Sequence, residues 1–157
     1  MKQIRVGMVG LGLRGRTMFR LAARYFPQIT LAAACDIDET SWFEPHDCSA
    51  AEAVPMAQDF PDTRFYADYD AMLAEAGLDA LLVETPAHNH ADFCARAPAR
   101  NIAVLSDIPS VHSEDEAAML WETARKSRAL FMTGANPNEW GFVEALVDFH
   151  RQGLLGE

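Results

Sequence analysis

The chain has 157 residues, of which half are hydrophobic and 23% are charged, a composition typical of one globular domain with its own core. Asp and Glu outnumber Lys and Arg by 23 to 13, and the net charge of −10 excludes nucleic acid as an expected partner, because phosphate backbones would be repelled. Cys35, Cys48 and Cys94 have neither disulfide-framework nor zinc spacing, and no apolar run is long enough for a membrane span, so a cytoplasmic protein is predicted.

Short apolar runs alternate with longer segments of helical period, which predicts βαβ units around a parallel sheet buried on both faces. The predicted strands are 4–9, 30–35, 64–66, 80–84, 102–105 and 129–132. The predicted helices are 14–25, 69–76, 90–99, 114–127 and 140–151. The stretch 41–61, with its scattered prolines, has the least regular pattern, and a short helix is the element it suggests. The predicted fold class is therefore α/β, a Rossmann-type doubly wound parallel sheet in three α/β/α layers.

Two local signals mark helix ends. Gly77 is predicted to close the helix over 69–76, because glycine readily adopts the left-handed conformation of a C-cap. Ser113 is predicted to cap the helix over 114–127, and Glu116 three residues later completes the spacing of a capping box.

A glycine-rich turn of the form G-x-G-x-x-G, residues 10–15, lies between the first strand and the first helix. Gly10 would permit a tight turn, Gly12 would leave out a Cβ that collides with a pyrophosphate, and the third glycine would let helix and strand approach. With Leu13 and Arg14, they are the predicted pyrophosphate-binding residues, since free N–H groups at a helix start bind anions whatever the net charge. A glycine-rich connection that binds nothing is the alternative.

Asp36 ends the second strand, close to the spacing expected for the carboxylate that binds the adenosine ribose. A carboxylate accepts hydrogen bonds from both ribose hydroxyls but repels a 2′-phosphate, so NAD is predicted in preference to NADP. Asp38 is a competing candidate, because strand alternation sends it to the same side. Arg14 has three interpretations: it contacts the pyrophosphate, accommodates a 2′-phosphate if Asp36 turns away, or is an ordinary surface arginine.

Three further segments, 6–12, 79–86 followed by His90, and 153–156, give the chain a resemblance to a known family. It resembles the N-terminal NAD-binding domain of the glucose-fructose oxidoreductase / inositol dehydrogenase (Gfo/Idh/MocA) family over nearly its whole length. The resemblance implies an oxidoreductase acting on a sugar, polyol or related small molecule. We therefore expect 1–157 to be the dinucleotide-binding domain, with 152–157 the start of a missing C-terminal substrate domain and the catalytic site incomplete in this chain.

The resemblance also implies positions for site residues. Thr85 and Pro86 would form a turn against the cofactor, with His90 nearby; alternatively, His90 packs the turn or caps the helix. Because His88 and His90 have no third clustered ligand, no metal site is predicted. Asn136 would hydrogen-bond the cofactor or substrate, or satisfy its own backbone in a turn.

A departure from the family occurs where its members usually have Glu-Lys-Pro beside the nicotinamide. Asp107 retains the acid and would lie near the cofactor, whereas Ile108 replaces the lysine. Isoleucine has no proton to give and no charge to stabilise an alkoxide.

Three functions therefore stay open at the sequence level. The first is the NAD(H) domain of an oxidoreductase whose small-molecule substrate binds through the missing domain. The second is an NAD-retaining, non-redox hydrolase or lyase of the same family. The third is a nucleotide-sensing or binding module, which an apolar face containing Trp42, Phe43 or Trp140 would support. A homo-oligomer is compatible with each of them.

Overall fold

The computed structural model describes residues 3–45, 54–135 and 140–156, and within them six strands form one parallel sheet. The strands are β1 (Ile4–Val9), β2 (Ile29–Cys35), β3 (Arg64–Tyr66), β4 (Ala80–Val83), β5 (Ala103–Ser106) and β6 (Phe131–Thr133). They lie in the order β3-β2-β1-β4-β5-β6, and each neighbouring pair is parallel. The chain thus builds outward in both directions from the pair β1 and β4, which confirms the predicted Rossmann-type doubly wound sheet.

Helices form the connections between the strands. The α-helices of the described ranges are α1 (Leu13–Tyr25), α2 (Thr40–Phe43), α3 (Met56–Asp59), α4 (Tyr69–Glu75), α5 (His90–Arg96), α6 (Glu114–Lys126) and α7 (Gly141–Arg151). Two short 3₁₀-helices, Ala87–Asn89 and Pro98–Arg100, flank α5. None of the helices in these ranges has the length and apolar composition of a membrane span.

The core consists of two hydrophobic clusters, one on each face of the sheet. Successive strand residues enter opposite clusters: Met8 and Leu82 join one, while Val9 and Leu81 join the other. The first cluster contains side chains from α1, α2 and α3, and the second contains side chains from α4, α5 and α6. Because the sheet is covered on both faces, its strands read as continuous apolar runs rather than alternating ones. The three-layer arrangement is confirmed.

Both predicted helix caps are present. Gly77 has a φ of +59°, as expected for a residue that follows a helix end. The Ser113 side chain accepts a hydrogen bond of 3.2 Å from the backbone N–H of Glu116, at the start of α6.

Two predicted boundaries differ from the structure by two residues or more, each for a local reason. The helix predicted over 90–99 ends at Arg96 and continues as a 3₁₀-helix that starts at Pro98, a residue without an N–H for the α-helical ladder. The strand predicted over 129–132 begins two residues later, because the Ala129 N–H donates to Ser127 Oγ at 2.9 Å in the preceding turn. Trp42, considered above as a docking residue, is only 2% exposed and belongs to the core.

Candidate cofactor site

A cavity of about 720 Å³ lies at the carboxyl ends of β1, β2, β3 and β4. Its wall includes the glycine turn after β1, Asp36 after β2 and the segment Glu84-Thr85-Pro86 after β4. This is the region where the strand order reverses, and open α/β sheets bind their ligands there. The volume falls in the range of sites for small organic ligands.

The glycines of the turn differ in what surrounds them. Gly10 has a φ of +86°, and a Cβ built on it would lie 2.6 Å from the backbone N of Thr85. A Cβ on Gly15 would lie 2.8 Å from the Cβ of Glu84, so α1 and the end of β4 are in direct contact. In contrast, Gly12 lines the cavity and a Cβ there would meet no protein atom within 4 Å. The space in front of Gly12 is therefore open to a ligand.

The N-terminus of α1 opens into this cavity. Gly12 is the N-cap residue, no side chain caps the helix, and its first turn carries no acidic residue. The amides of the first turn have no acceptor within the helix, so they present a partial positive charge. Gly12, Leu13 and Arg14 all line the cavity. These residues fit a pyrophosphate group, which needs N–H donors and room for its oxygens.

The two candidate ribose-binding carboxylates have different environments. Asp36 lines the cavity, where its Oδ2 accepts a hydrogen bond of 2.7 Å from Leu11 N–H and its Oδ1 accepts one of 3.0 Å from Asp38 N–H. Asp38 caps the next segment instead, since its Oδ1 accepts from the N–H and the hydroxyl of Thr40 at 3.0 and 2.7 Å. The structure therefore places Asp36, and not Asp38, against the glycine turn and the cavity.

Arg14 forms a bidentate ion pair with Asp107 across the edge of the site. Its Nε and Nη2 lie 2.6 and 3.0 Å from the two carboxylate oxygens of Asp107. The same guanidinium lies 3.9 Å from Glu84 Oε2. These contacts join α1 to the residues that follow β4 and β5. They show what Arg14 contacts in the folded chain, for which the sequence left three interpretations open.

Glu84 is a site residue that the sequence analysis missed. Its side chain is 3% exposed, although it ends a strand at the cavity wall. Burial raises the pKa of this carboxyl to about 7, and the negative charge of Asp107 adds to the increase while Arg14 opposes it. The sequence feature that could have identified Glu84 is its position as an acidic residue directly after the continuous apolar run of β4.

His90 lies behind the cavity wall rather than in it. It is 2% exposed, and its ring nitrogens lie 2.6 Å from the Thr85 carbonyl oxygen and 2.9 Å from that of Pro109. The imidazole thus links the loops after β4 and β5. This placement favours the interpretation in which His90 packs the turn, so any effect on a cofactor would be exerted through Thr85.

The remaining predicted residues are distributed as follows. Thr85 and Pro86 line the cavity, and Asp107 lies beside it, bound to Arg14. Asn136 lies outside the described residues. At the other end of the cavity, the structure adds five residues from the β3–α4 loop, α4 and α5 that sequence interpretation did not select: Ala67, Asp68, Tyr69, Phe93 and Arg96. They come from segments that carry no phosphate-binding motif.

Comparison with known proteins gives consistent results. The family model described as "Oxidoreductase family, NAD-binding Rossmann fold" matches residues 4–135. A glycosyl hydrolase family 109 protein of Stenotrophomonas maltophilia (strain K279a) is 23% identical over 156 residues, which are 99% of this chain and 34% of that protein. The chain therefore spans about a third of the length of this curated relative.

Solved structures share the fold at low sequence identity. The WlbA dehydrogenase from Bordetella pertussis, in complex with NADH and UDP-GlcNAcA, superimposes with a TM-score of 0.83 at 16% identity, covering 97% of this chain and 40% of that one. The scyllo-inositol dehydrogenase from Lactobacillus casei, with bound NAD(H) and scyllo-inositol, gives 0.82 at 19% identity, covering 99% and 43%.

Substitution of the first two glycines should separate a folding role from a binding role. We expect Gly10→Ala to lower the free energy of unfolding by more than about 2 kcal/mol, because its Cβ would strike the β4 backbone at a positive φ. Gly12→Ala should change it by less than about 1 kcal/mol, since its Cβ meets no protein atom. Urea denaturation of both variants measures the difference, and equal losses would contradict this description of the turn.

The Glu84 carboxyl should make folding stability depend on pH. Its pKa of about 7 in the folded chain exceeds that of an unfolded glutamate, so the unfolded state loses its proton first as the pH rises. The stability contribution of Glu84 is therefore greatest below about pH 4.5, and about 3 kcal/mol is lost as the pH increases to 7.

Glu84→Gln should remove that decrease, because the amide does not ionise. Denaturation curves at several values between pH 5 and 8 would show it, with the exposed Glu122→Gln on α6 as the matched control. A decrease of the same size in Glu84→Gln would assign it to other groups.

Proposed function

The chain belongs to the Gfo/Idh/MocA family of oxidoreductases with an NAD-binding Rossmann fold, and on this premise we propose that its cavity binds NAD(H) for hydride transfer with a sugar, polyol or related small molecule. One observation carries the proposal: the uncapped N-terminus of α1, the open face of Gly12 and the carboxylate of Asp36 all line the same cavity. Bound nicotinamide would supply the hydride acceptor or donor, and the residues of this chain would hold and orient it.

The order of the strands supports a proposed position for each part of the dinucleotide in the cavity. The N–H groups of Gly12, Leu13 and Arg14 would hold the pyrophosphate, at the end of β1. Asp36, at the end of β2, would accept hydrogen bonds from the adenosine ribose, and Ile37 beside it is 98% exposed and offers an apolar contact to the adenine. The nicotinamide half would then extend toward β4, where Thr85 belongs to the cavity wall.

Charges around the ribose end favour NAD over NADP. A 2′-phosphate there would meet the carboxylate of Asp36, and Asp68 also lines this end of the cavity. An arginine could offset this repulsion, and Arg96 also lines this end of the cavity. Its guanidinium, however, is paired with Asp70 and Asp92 at 3.0 and 2.8 Å. Arg14, the other arginine of the wall, is paired with Asp107 on the β5 side. Both basic groups therefore already have carboxylate partners.

A hydrolase or lyase that retains NAD is the second candidate function. It is favoured by Ile108, which is 46% exposed where the family usually has a lysine, and by the similarity to a glycosyl hydrolase family 109 protein. In such an enzyme the cofactor oxidises the substrate only transiently, so no NADH accumulates. NAD that copurifies with the protein and shows no net reduction during turnover would support this function, whereas stoichiometric NADH production would support the dehydrogenase.

A further domain is proposed to complete the site. Side chains on α7 that would normally be buried are exposed, among them Phe142 (61%), Leu146 (47%) and Phe149 (45%). A short helix with unpacked apolar residues gains little stability alone, so a covering surface is expected. We infer that the substrate domain of the longer protein covers α7 and supplies the catalytic groups. Self-association through the same face is the alternative, and sedimentation of the 157-residue chain at several concentrations distinguishes it.

Calorimetric titration of NADH into the folded chain tests the cofactor assignment. Saturable binding is expected at up to millimolar ligand, because the residues of the pyrophosphate and ribose contacts all lie within this chain. The Gly12→Ala variant provides a binding-defective control whose fold is preserved. Absence of saturable heat with the parent chain, once circular dichroism shows it folded, would overturn the proposal.

Asp36→Ala should weaken NADH binding by roughly 1–3 kcal/mol, the range for loss of charge-assisted hydrogen bonds. The preference for NADH over NADPH should fall in the same variant, since the carboxylate that repels a 2′-phosphate is removed. Asp38→Ala is the matched control, because Asp38 bonds Thr40 and does not line the cavity. Equal affinity of Asp36→Ala and the parent chain would place the ribose contact elsewhere.

A further inference from the structure

Glu84 is a buried carboxyl fixed at the wall of the cofactor cavity. Its side chain is 3% exposed and follows β4, whose carboxyl end belongs to the cavity. α1 packs directly on it, because a Cβ at Gly15 would lie 2.8 and 2.9 Å from the Cβ and Cγ of Glu84. The contact limits its movement, so a charge on this carboxyl would act from a fixed place.

Two carboxylates compete here for one guanidinium. Arg14 of α1 donates to the carboxylate of Asp107, in the loop after β5, through its Nε at 2.6 Å and its Nη2 at 3.0 Å. Its Nε lies 3.9 Å from Glu84 Oε2. The bidentate geometry with Asp107 is the stronger pair, which leaves Glu84 the less compensated acid. The imidazole at this turn, His90 of α5, has its ring nitrogens 2.6 and 2.9 Å from the carbonyl oxygens of Thr85 and Pro109.

The strand order places this carboxyl on the nicotinamide half of the proposed cofactor, and the inference rests on that proposed function. If the adenosine ribose binds at Asp36 after β2 and the pyrophosphate at α1 after β1, the other half extends toward β4 and β5. Glu84 and Asp107 follow those two strands. The nicotinamide ring carries a positive charge in NAD⁺ and none in NADH, so a nearby carboxyl experiences the difference.

We propose that Glu84 determines the preference of this site between NAD⁺ and NADH, binding the oxidised cofactor as a carboxylate and the reduced cofactor as a neutral acid. A carboxylate attracts the cationic ring, whereas the neutral acid does not oppose the uncharged one. Burial and the charge of Asp107 raise the pKa of Glu84 to about 7, so both forms of the residue are populated near neutral pH. By linkage, the pKa of Glu84 must be lower with NAD⁺ bound than with NADH bound.

Measurement of both dissociation constants from pH 6 to 8.5 tests this role. NAD⁺ is titrated calorimetrically and NADH by its fluorescence, with the 157-residue chain as the binding protein. As the pH rises and Glu84 ionises, the affinity for NAD⁺ relative to NADH should increase about tenfold. This is the order expected for one charge pair across a partly desolvated site. In Glu84→Gln, the ratio of the two affinities should stay at its low-pH value over the whole range. Glu122→Gln makes the same substitution at an exposed position of α6, and its ratio should change with pH as in the parent chain.

A direct titration of the carboxyl supplies a readout without any cofactor. With ¹³C-labelled glutamate, one carboxyl resonance of the ligand-free chain should titrate near pH 7 and disappear in Glu84→Gln. Its midpoint should be lower in the complex with NAD⁺ than in the complex with NADH. A merely structural Glu84 would have the same midpoint in both complexes.

The possible results separate the two proposals. Binding of both dinucleotides with a ratio that is independent of pH, or with the same slope in Glu84→Gln, overturns the role of Glu84 and leaves the cofactor assignment intact. No saturable binding of either dinucleotide overturns the cofactor assignment, and the role of Glu84 with it.

Discussion

The close contact between the glycine turn and the end of β4 is the constraint on which the site depends. Gly10 and Gly15 both face Glu84 or the peptide that follows it, at distances where a Cβ would be too near. Without those two Cβ atoms, α1 approaches the sheet and its first turn points across the carboxyl ends of the central strands. The cavity, the open helix N-terminus and the place of Asp36 all follow from this approach.

The cavity contains a region of positive potential, the N-terminus of α1, within a strongly acidic chain. The net charge is −10, yet the first turn of α1 carries no acidic side chain and its amides face the cavity. Two acids border the turn and each has a donor: Asp36 accepts a hydrogen bond from Leu11 N–H, and Asp107, beside the cavity, is paired with Arg14. An anionic dinucleotide is therefore compatible with the acidic surface, because contact dipoles act over shorter distances than net charge.

The sequence alone predicted elements whose signals are local. Each of the six strands was predicted within two residues at its start, because strands buried on both faces are continuous apolar runs. The caps at Gly77 and Ser113 were correct for the same reason, since each involves only near neighbours in the chain. The Glu116 carboxylate, however, accepts from the N–H of His112, one residue before the position that a capping box requires. The glycine spacing and Asp36 likewise predicted two of the loops that line the cavity, those after β1 and β2.

Tertiary structure decided which side chains meet, because those contacts join residues far apart in the chain. Asp36 and Asp38 are equivalent by strand alternation, and the folded chain distinguishes them: Asp36 bonds the Leu11 amide in the cavity wall, whereas Asp38 bonds Thr40. The pairing of Arg14 with Asp107 spans 93 positions, and no spacing rule predicts it. Glu84 is one acid among 23 acidic residues in the sequence, and it becomes distinctive only when α1 and Asp107 enclose it in the fold. Hydrophobic periodicity and glycine spacing thus determined the sheet and its glycine-rich turn. Desolvation and charge proximity, which exist only after folding, determined the protonation and ion pairing of the acids at the site.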